Sequence, residues 1–166
     1  GTPAVAIVLE DRRLTVRMAA AEFFDPGQAV LRPQILPVLD VIAEEIVPLG
    51  RAIQVEGHTD DTAVSGTRFR DNWDLSAARA ASVVSYLEHA HRARPELLSA
   101  AGFASTRPIA KGGGPQTREL NRRVELVVDF EDYLSKEEKE RRAARDPLAV
   151  TKTALLRRRL LDEARD

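Results

Sequence analysis

Cysteine is absent from the 166 residues of the chain, and histidine occurs only three times. The lack of cysteine excludes disulfide bonds, thiolate nucleophiles and zinc–thiolate sites together. No apolar run approaches the roughly 20 residues that a membrane-spanning helix needs. The net charge of −1 gives no indication of a nucleic-acid partner. A function must therefore rest on particular side chains and not on overall charge or on cysteine chemistry.

The composition that remains is that of a folded domain. Hydrophobic residues make up 43% of the chain and charged residues 31%, which is enough apolar material for a core. The length favours one domain, with room for an appendage. Because the chain opens with Gly1 and not with methionine, we expect it to be a piece excised from a longer protein.

Hydrophobic periodicity predicts the element order ββ-α-β-α-β-β. Alternating apolar residues on both sides of a turn at 10–13 indicate a hairpin. Helices separate the later strands, which implies crossover connections and places both helices on one face of a mixed sheet, as an α/β sandwich. A long polar loop is expected over 106–120. The predicted helices span 33–49, regular from Pro37, and 76–90, and the later strands are expected within 51–58, 97–105 and 121–130.

The run HTDD at 58–61 places an imidazole and two carboxylates at the end of a predicted strand, where catalytic sites are common. A metal hydrolase would need further converging ligands. The other histidines, His89 and His91, lie at the far end of the second helix, roughly 20 Å along its axis from the helix start. No serine sits in a nucleophile-elbow motif beside a histidine. We therefore predict no enzymatic activity, no catalytic residue, no metal ligand and no cofactor.

Arg79 is the charged residue whose position is hardest to explain as surface. It flanks the apolar stripe predicted for the second helix, which consists of Ala77, Ala80, Ala81, Val84 and Leu87. An unpaired, partly desolvated charge there is costly. Asp60, at the end of the preceding strand, is its expected partner. The two could form an internal salt bridge, or they could stand apart and hold a zwitterion between them. Spacing alone leaves these alternatives level, and Asn72 or Asp74 is expected to cap the helix.

Several motifs together resemble the OmpA-like peptidoglycan-binding domain. These are GHTD at 57–60, NWDLSAARAASVVSYL from Asn72, AGFASTRPIA and NRRVELVV, and the resemblance covers about 14–130. The loop length after GHTD and the style of NWDLSAARA are similar to the periplasmic domains of MotB-type flagellar stator proteins. The resemblance implies an α+β fold, an OmpA-like sandwich with a mixed sheet.

The resemblance also implies a binding site. Asp60 would meet the ammonium of the diaminopimelate residue in the peptidoglycan stem peptide, and Arg79 would meet its carboxylate. Strand parity does not decide between Arg122 and Arg123, whereas family position favours Arg122. Six further residues are expected along the same site: Phe24, Asp25, Thr59, Asn72, Leu75 and Arg122.

The same resemblance implies a place in the cell. It predicts a periplasmic domain of an inner-membrane protein that anchors a flagellar stator to the cell wall, as a homodimer and with a MotA-like subunit bound through the membrane segment. An alternative is the domain of an OmpA-type porin or a lipoprotein that tethers the outer membrane to peptidoglycan. The expected organisation is a lead-in over 1–13, the OmpA-like domain over 14–130 and a charged helical extension over 131–166.

Overall fold

Five strands form one mixed β-sheet. The computed structural model describes residues 3–64 and 68–130, so the extension predicted over 131–166 lies outside the described residues. The strand order across the sheet is β1-β2-β5-β3-β4, with β3 and β4 parallel and the other three pairs antiparallel. The strands are β1 (Val5–Glu10), β2 (Arg13–Ala19), β3 (Ile53–His58), β4 (Leu98–Gly102) and β5 (Arg123–Asp129). The predicted α+β fold with a mixed sheet is confirmed.

The N-terminal hairpin forms where alternation predicts it. Asp11 and Arg12 occupy the two-residue turn with φ of 44° and 65°. Two successive positive φ values are typical of the turn whose twist matches that of the paired strands. Strand β1, which comes from the expected lead-in, is therefore an edge strand of the same sheet and pairs with β2 along its whole length.

Within residues 3–64 and 68–130, four α-helices accompany the sheet: α1 (Ala20–Phe23), α2 (Leu36–Ile46), α3 (Asn72–His91) and α4 (Pro115–Asn121). Single 3₁₀ turns precede and follow α2, and Pro37 lies in its first turn, where the missing N–H costs no helical bond. None of the helices over the described residues is both long and apolar enough to cross a membrane.

Helix α3 begins four residues earlier than the periodicity predicts. Its N-cap is Asp71, whose carboxylate accepts a hydrogen bond from the backbone N–H of Asp74 at 2.9 Å. The expectation that Asn72 or Asp74 caps the helix is therefore wrong, because an aspartate one position upstream already satisfies the free donor. Asn72 is instead the first helical residue, and its side chain is available for another contact.

The close packing of α3 on the sheet depends on glycines of the strands. A Cβ added at Gly57 of β3 would overlap the carbonyl of Ser76, and one at Gly102 of β4 would overlap the backbone of Ala77. The apolar stripe predicted for α3 is partly wrong, because Ala77 and Ala81 are exposed. The buried positions of α3 are Leu75, Ser76, Arg79, Ala80, Val83 and Leu87.

The segment predicted as a long polar loop contains α4. The side chain of Asn121 organises the loop before it, accepting hydrogen bonds from the N–H groups of Ile109 (2.9 Å) and Ala110 (3.0 Å). The helix starts with Pro115 directly after a glycine run, and this polar composition masks it in the sequence. As a result β5 begins at Arg123 and not at 121, and Arg122 occupies the junction between helix and strand.

The two faces of the sheet differ in chemistry. On one face α2 and α3 cover an apolar core to which every one of the five described strands contributes buried or partly buried residues. On the other face, side chains from β2, β3 and β5 form a mostly buried charged group, which we call the sheet-face cluster. Its members are Arg17, Glu56, His58, Arg123 and Glu125.

Candidate ligand-binding site

Asp60 follows β3 directly and is buried, with 5% of its surface exposed. Its Oδ1 accepts a hydrogen bond from the backbone N–H of Thr62 at 2.7 Å. Its Oδ2 accepts one from Nη1 of Arg122 at 2.9 Å. A buried carboxylate needs such partners because desolvation of an unpaired charge is costly. The strand end thus presents a fixed negative charge.

Arg79 lies on α3 and is also buried, with 6% of its surface exposed. Its Nε donates to the carbonyl of Gln28 at 2.8 Å and its Nη2 to the carbonyl of Asp25 at 3.3 Å. The guanidinium lies over the ring of Phe24, 5.0 Å from its centroid. Burial, with repulsion from Arg122, lowers the pKa of Arg79 to about 10. Arg79 therefore stays positively charged at neutral pH.

The expected pairing of Asp60 with Arg79 is wrong. Asp60 pairs with Arg122, and among the ion pairs of the described residues none includes Arg79. Backbone carbonyls carry partial negative charge and leave the guanidinium without full compensation. Spacing left two alternatives open, and the structure excludes the internal salt bridge between Asp60 and Arg79.

The charges around Asp60 do not balance. Asp60 pairs with Arg122, and Arg122 is near enough to Arg79 to repel it, so one carboxylate stands against two guanidinium groups and one positive charge is in surplus. Nearby carboxylates do not cancel it, because Asp25 pairs with Arg32 at 3.6 Å and Asp61 pairs with Arg118 at 3.3 Å. A site with this surplus is suited to a ligand that carries a carboxylate.

The remaining predicted residues shape the same region. The Oγ1 of Thr59 donates to the carbonyl of Asp60 at 2.9 Å, and its own N–H donates to the carbonyl of Ala104 at 2.9 Å. The side chain of Asn72 donates to the carbonyl of Thr62 at 2.9 Å, which ties the start of α3 to the loop after β3. Leu75 is buried one helical turn before Arg79. These contacts hold the strand end and the helix in fixed relation.

The neighbouring arginines Arg122 and Arg123, at the junction of α4 and β5, take opposite roles. The side chain of Arg122 is 44% exposed and reaches Asp60. Arg123 is buried in the sheet-face cluster, where it pairs with Glu125 and donates to the carbonyls of Asn121 (3.1 Å) and Arg107 (2.9 Å). The structure therefore brings Arg122, and not Arg123, to the candidate site.

Backbone groups of Gln28 and Thr62 complete the site, and sequence reasoning does not identify them. The carbonyl of Gln28 accepts from Arg79 and the N–H of Thr62 donates to Asp60. Main-chain groups are the same in every residue, so side-chain identity carries no signal for them. A signal exists for the segment alone, in the Asp-Pro-Gly turn that starts at Asp25.

The sheet-face cluster brings together possible metal ligands that the sequence does not associate. Ligand atoms of Glu56, His58 and Glu125 lie within 4.8 Å of one another. Burial works against the charge of Glu125, but hydrogen bonds from Arg123 and then Arg17 hold its pKa below the ordinary value. Two guanidinium groups thus already compensate two carboxylates, and a dication would have to displace them. The cluster fits an internal ion-pair network.

Comparison with known proteins places this geometry in a family. The model of the OmpA family matches residues 23–122, which is more than half of the chain. Motility protein B of Bacillus subtilis (strain 168) is 30% identical over 116 residues, covering 69% of this chain and 44% of the relative. The peptidoglycan-associated lipoprotein of Pseudomonas aeruginosa is 33% identical over 111 residues, covering 67% and 63%.

A solved structure agrees with the sequence relatives. The periplasmic domain of Helicobacter pylori MotB (residues 78–256) superposes with a TM-score of 0.70 at 27% identity, covering 86% of this chain and 93% of that one. The chain spans about half the length of the first curated relatives that it matches, 49% and 44%. The matched family segment contains Asp60, Arg79 and Arg122 together, and the chain belongs to the OmpA family.

Proposed function

We propose that this domain binds peptidoglycan without covalent chemistry, through the diaminopimelate residue of the stem peptide. The ligand's ammonium would lie against Asp60 and its carboxylate against Arg79. One observation carries the proposal, namely a buried guanidinium that has no carboxylate partner among the described residues and that is linked through Arg122 to a buried aspartate. The free amino-acid head of diaminopimelate supplies both complementary charges in one group.

The chemistry of Arg79 suits this task better than that of lysine would. A guanidinium can present two parallel N–H donors to a carboxylate while its other donors stay on the carbonyls of Asp25 and Gln28. Hydrogen bonds to charged groups contribute about 1.5–3 kcal/mol each. The ring of Phe24 below the guanidinium adds a cation–π contact and keeps its plane fixed. Binding is the whole activity in this proposal, and no bond is broken.

The parent protein that fits best is a MotB-type stator subunit. The motility protein B relatives and the MotB periplasmic structures support it. In this proposal the chain is the periplasmic part of an inner-membrane protein. It would form a homodimer, join a MotA-like subunit through a membrane segment beyond this chain, and use residues 14–130 to hold the wall. The extension over 131–166 would serve a contact outside the binding domain.

A second parent is favoured by a different relative. The likeness to a peptidoglycan-associated lipoprotein supports a domain that tethers the outer membrane to the wall. The site would act in the same way in both proteins, and only the anchor differs. The full-length sequence separates them, because a single N-terminal membrane helix with a buried acidic residue belongs to a stator, whereas a lipobox or a β-barrel belongs to a tether.

The experiment that tests the proposed function is a pull-down with purified cell-wall sacculi. Arg79→Ala and Asp60→Asn should each lose most binding, because each removes one of the two complementary charges. Arg118→Gln is the control, since it removes an arginine charge from an exposed ion pair with the adjacent Asp61. Circular dichroism would confirm that the variants are folded. Wild-type levels of sacculus binding by folded Arg79→Ala would contradict the site assignment.

A further inference from the structure

We propose that Arg122 exchanges partners when ligand binds, leaving Asp60 for the ligand's carboxylate, and that this exchange makes the site select zwitterionic heads over plain amines. The inference rests on the proposed function of the same site. It assigns to Arg122 a role in specificity that is separate from the two primary contacts of Asp60 and Arg79.

The free domain already fills the position that the ligand's ammonium would take. Both oxygens of Asp60 have partners, Thr62 on one and Arg122 on the other. The carboxylate is buried, so a second cation cannot approach it without moving the first. An incoming ammonium therefore competes directly with the guanidinium of Arg122 for Asp60.

Arg122 is built to give way while its backbone stays in place. Its N–H donates to the carbonyl of Arg118, and its carbonyl accepts from the N–H of Ala20, both at 3.0 Å. The side chain is 44% exposed and makes one hydrogen bond to Asp60, whereas the side chain of Asp60 is 6% exposed. The mobile partner of this ion pair is thus the arginine.

The destination of Arg122 follows from the charge on Arg79. The two guanidinium groups are close enough for Arg122 to contribute to the lowered pKa of Arg79. A carboxylate between them would be attracted by both and would relieve their repulsion. With a zwitterion bound, Asp60 holds the ammonium and the two arginines share the carboxylate, so every charge keeps a partner.

Ligands that carry only an amine or only a carboxylate should bind more weakly than a zwitterion. A plain amine that displaces Arg122 would leave two neighbouring guanidinium groups uncompensated beside a buried site. A plain carboxylate would meet Arg79 but would gain nothing from Asp60, which stays paired with Arg122. The ion pair between Asp60 and Arg122 therefore acts against amines that bring no carboxylate.

Three related ligands test this inference: meso-diaminopimelate, cadaverine, which is the same diamine without the two carboxyl groups, and pimelate, which is the same diacid without the two amines. Affinities are measured by NMR titration of the wild type and of Arg122→Gln. The wild type should bind diaminopimelate at least about tenfold more tightly than cadaverine or pimelate. In Arg122→Gln, cadaverine should bind more tightly and diaminopimelate more weakly, so that their affinity ratio falls about tenfold or more.

Arg118→Gln serves as the control, because it removes the same charge from a similarly exposed arginine, which pairs with the residue next to Asp60. It should leave the affinity ratio of the wild type unchanged. Equal weakening of diaminopimelate and cadaverine in Arg122→Gln would overturn the exchange while leaving the proposed function standing. No binding of diaminopimelate to the folded wild type would overturn both.

Discussion

Two buried charged regions lie close to β3 and β5, and they differ in one respect. In the sheet-face cluster, Glu56 and Glu125 are matched by Arg17 and Arg123. Beyond the end of β3, Asp60 pairs with Arg122, which in turn repels Arg79, and within the described residues one positive charge remains without a carboxylate. Burying unmatched charge costs stability, so it persists where another requirement maintains it. The balanced region is explained by the fold, whereas the unbalanced region calls for a ligand.

The largest effect that tests this contrast is on stability in the balanced region. Glu125→Gln should lower the free energy of unfolding by about 3 kcal/mol, because it leaves Arg123 buried without its carboxylate. Urea unfolding measures the loss. Diaminopimelate affinity of the folded fraction should not change, and a large loss of affinity would mean that the two regions act as one.

A smaller effect is expected on affinity in the unbalanced region. Arg79→Lys keeps the positive charge but loses the planar pair of donors, so the affinity for diaminopimelate should fall about tenfold. Calorimetric titration measures it, with Arg32→Lys as a control at an exposed arginine of the same neighbourhood. Full affinity in Arg79→Lys would reduce the site to one that needs only a point charge.

A third comparison uses Asp71, a residue that is close to the candidate site in sequence but is not one of its charged groups. Asp71 caps α3 immediately before Asn72, close to the binding site in sequence. Asp71→Ala should cost about 1 kcal/mol of unfolding free energy through loss of the cap. Thermal denaturation would show the loss, while sacculus binding should stay at the wild-type level. A loss of binding at temperatures where the variant is folded would extend the site to the helix cap.

The smallest expected effect is a dependence of the free energy of unfolding on pH in the acidic range. Since the folded-state pKa of Glu125 is held below its ordinary value of 4.5, ionised Glu125 stabilises the fold above that value, and the contribution is lost as pH falls through the lowered pKa. The free energy of unfolding, measured from pH 6 downwards, should decline below about pH 4.5. This decline should be shallower in Glu125→Gln than in the wild type. If the free energy of unfolding had the same pH dependence in the wild type and in Glu125→Gln, the stabilising role of ionised Glu125 would be contradicted.

The sequence predicts the framework well because its signals are periodic and local. The alternation in the hairpin and the proline-led start of α2 each correspond to a physical need found in the structure. Helix α4 escapes prediction because its first turn follows three glycines and it has few apolar residues to show a period. Spacing also places Arg79 beside the core correctly.

The pairing of charges is the part that spacing cannot supply. Asp60 and Arg79 lie in adjacent elements, and proximity in the chain suggests that they bind each other. The partner of Asp60 is 62 residues away, at a helix–strand junction whose position depends on the undetected α4. Long-range pairings of this kind depend on strand order, which places β5 beside β3. The choice between Arg122 and Arg123 becomes clear only once that junction is known.

The contact at Gly57 affects the spacing between the strand and the helix that carry the candidate site. Because a methyl group there would collide with the carbonyl of Ser76, α3 rests directly on the main chain of β3 with no side chain between them. Asp60 follows the strand and Arg79 lies one helical turn beyond Ser76, so the spacing between the backbones of these two residues is set by direct contact of main chain with main chain. That backbone spacing does not depend on the rotamer of an intervening side chain. The absence of a Cβ at Gly57 therefore allows α3 to pack on β3 at this close spacing, and the spacing positions the backbones of Asp60 and Arg79.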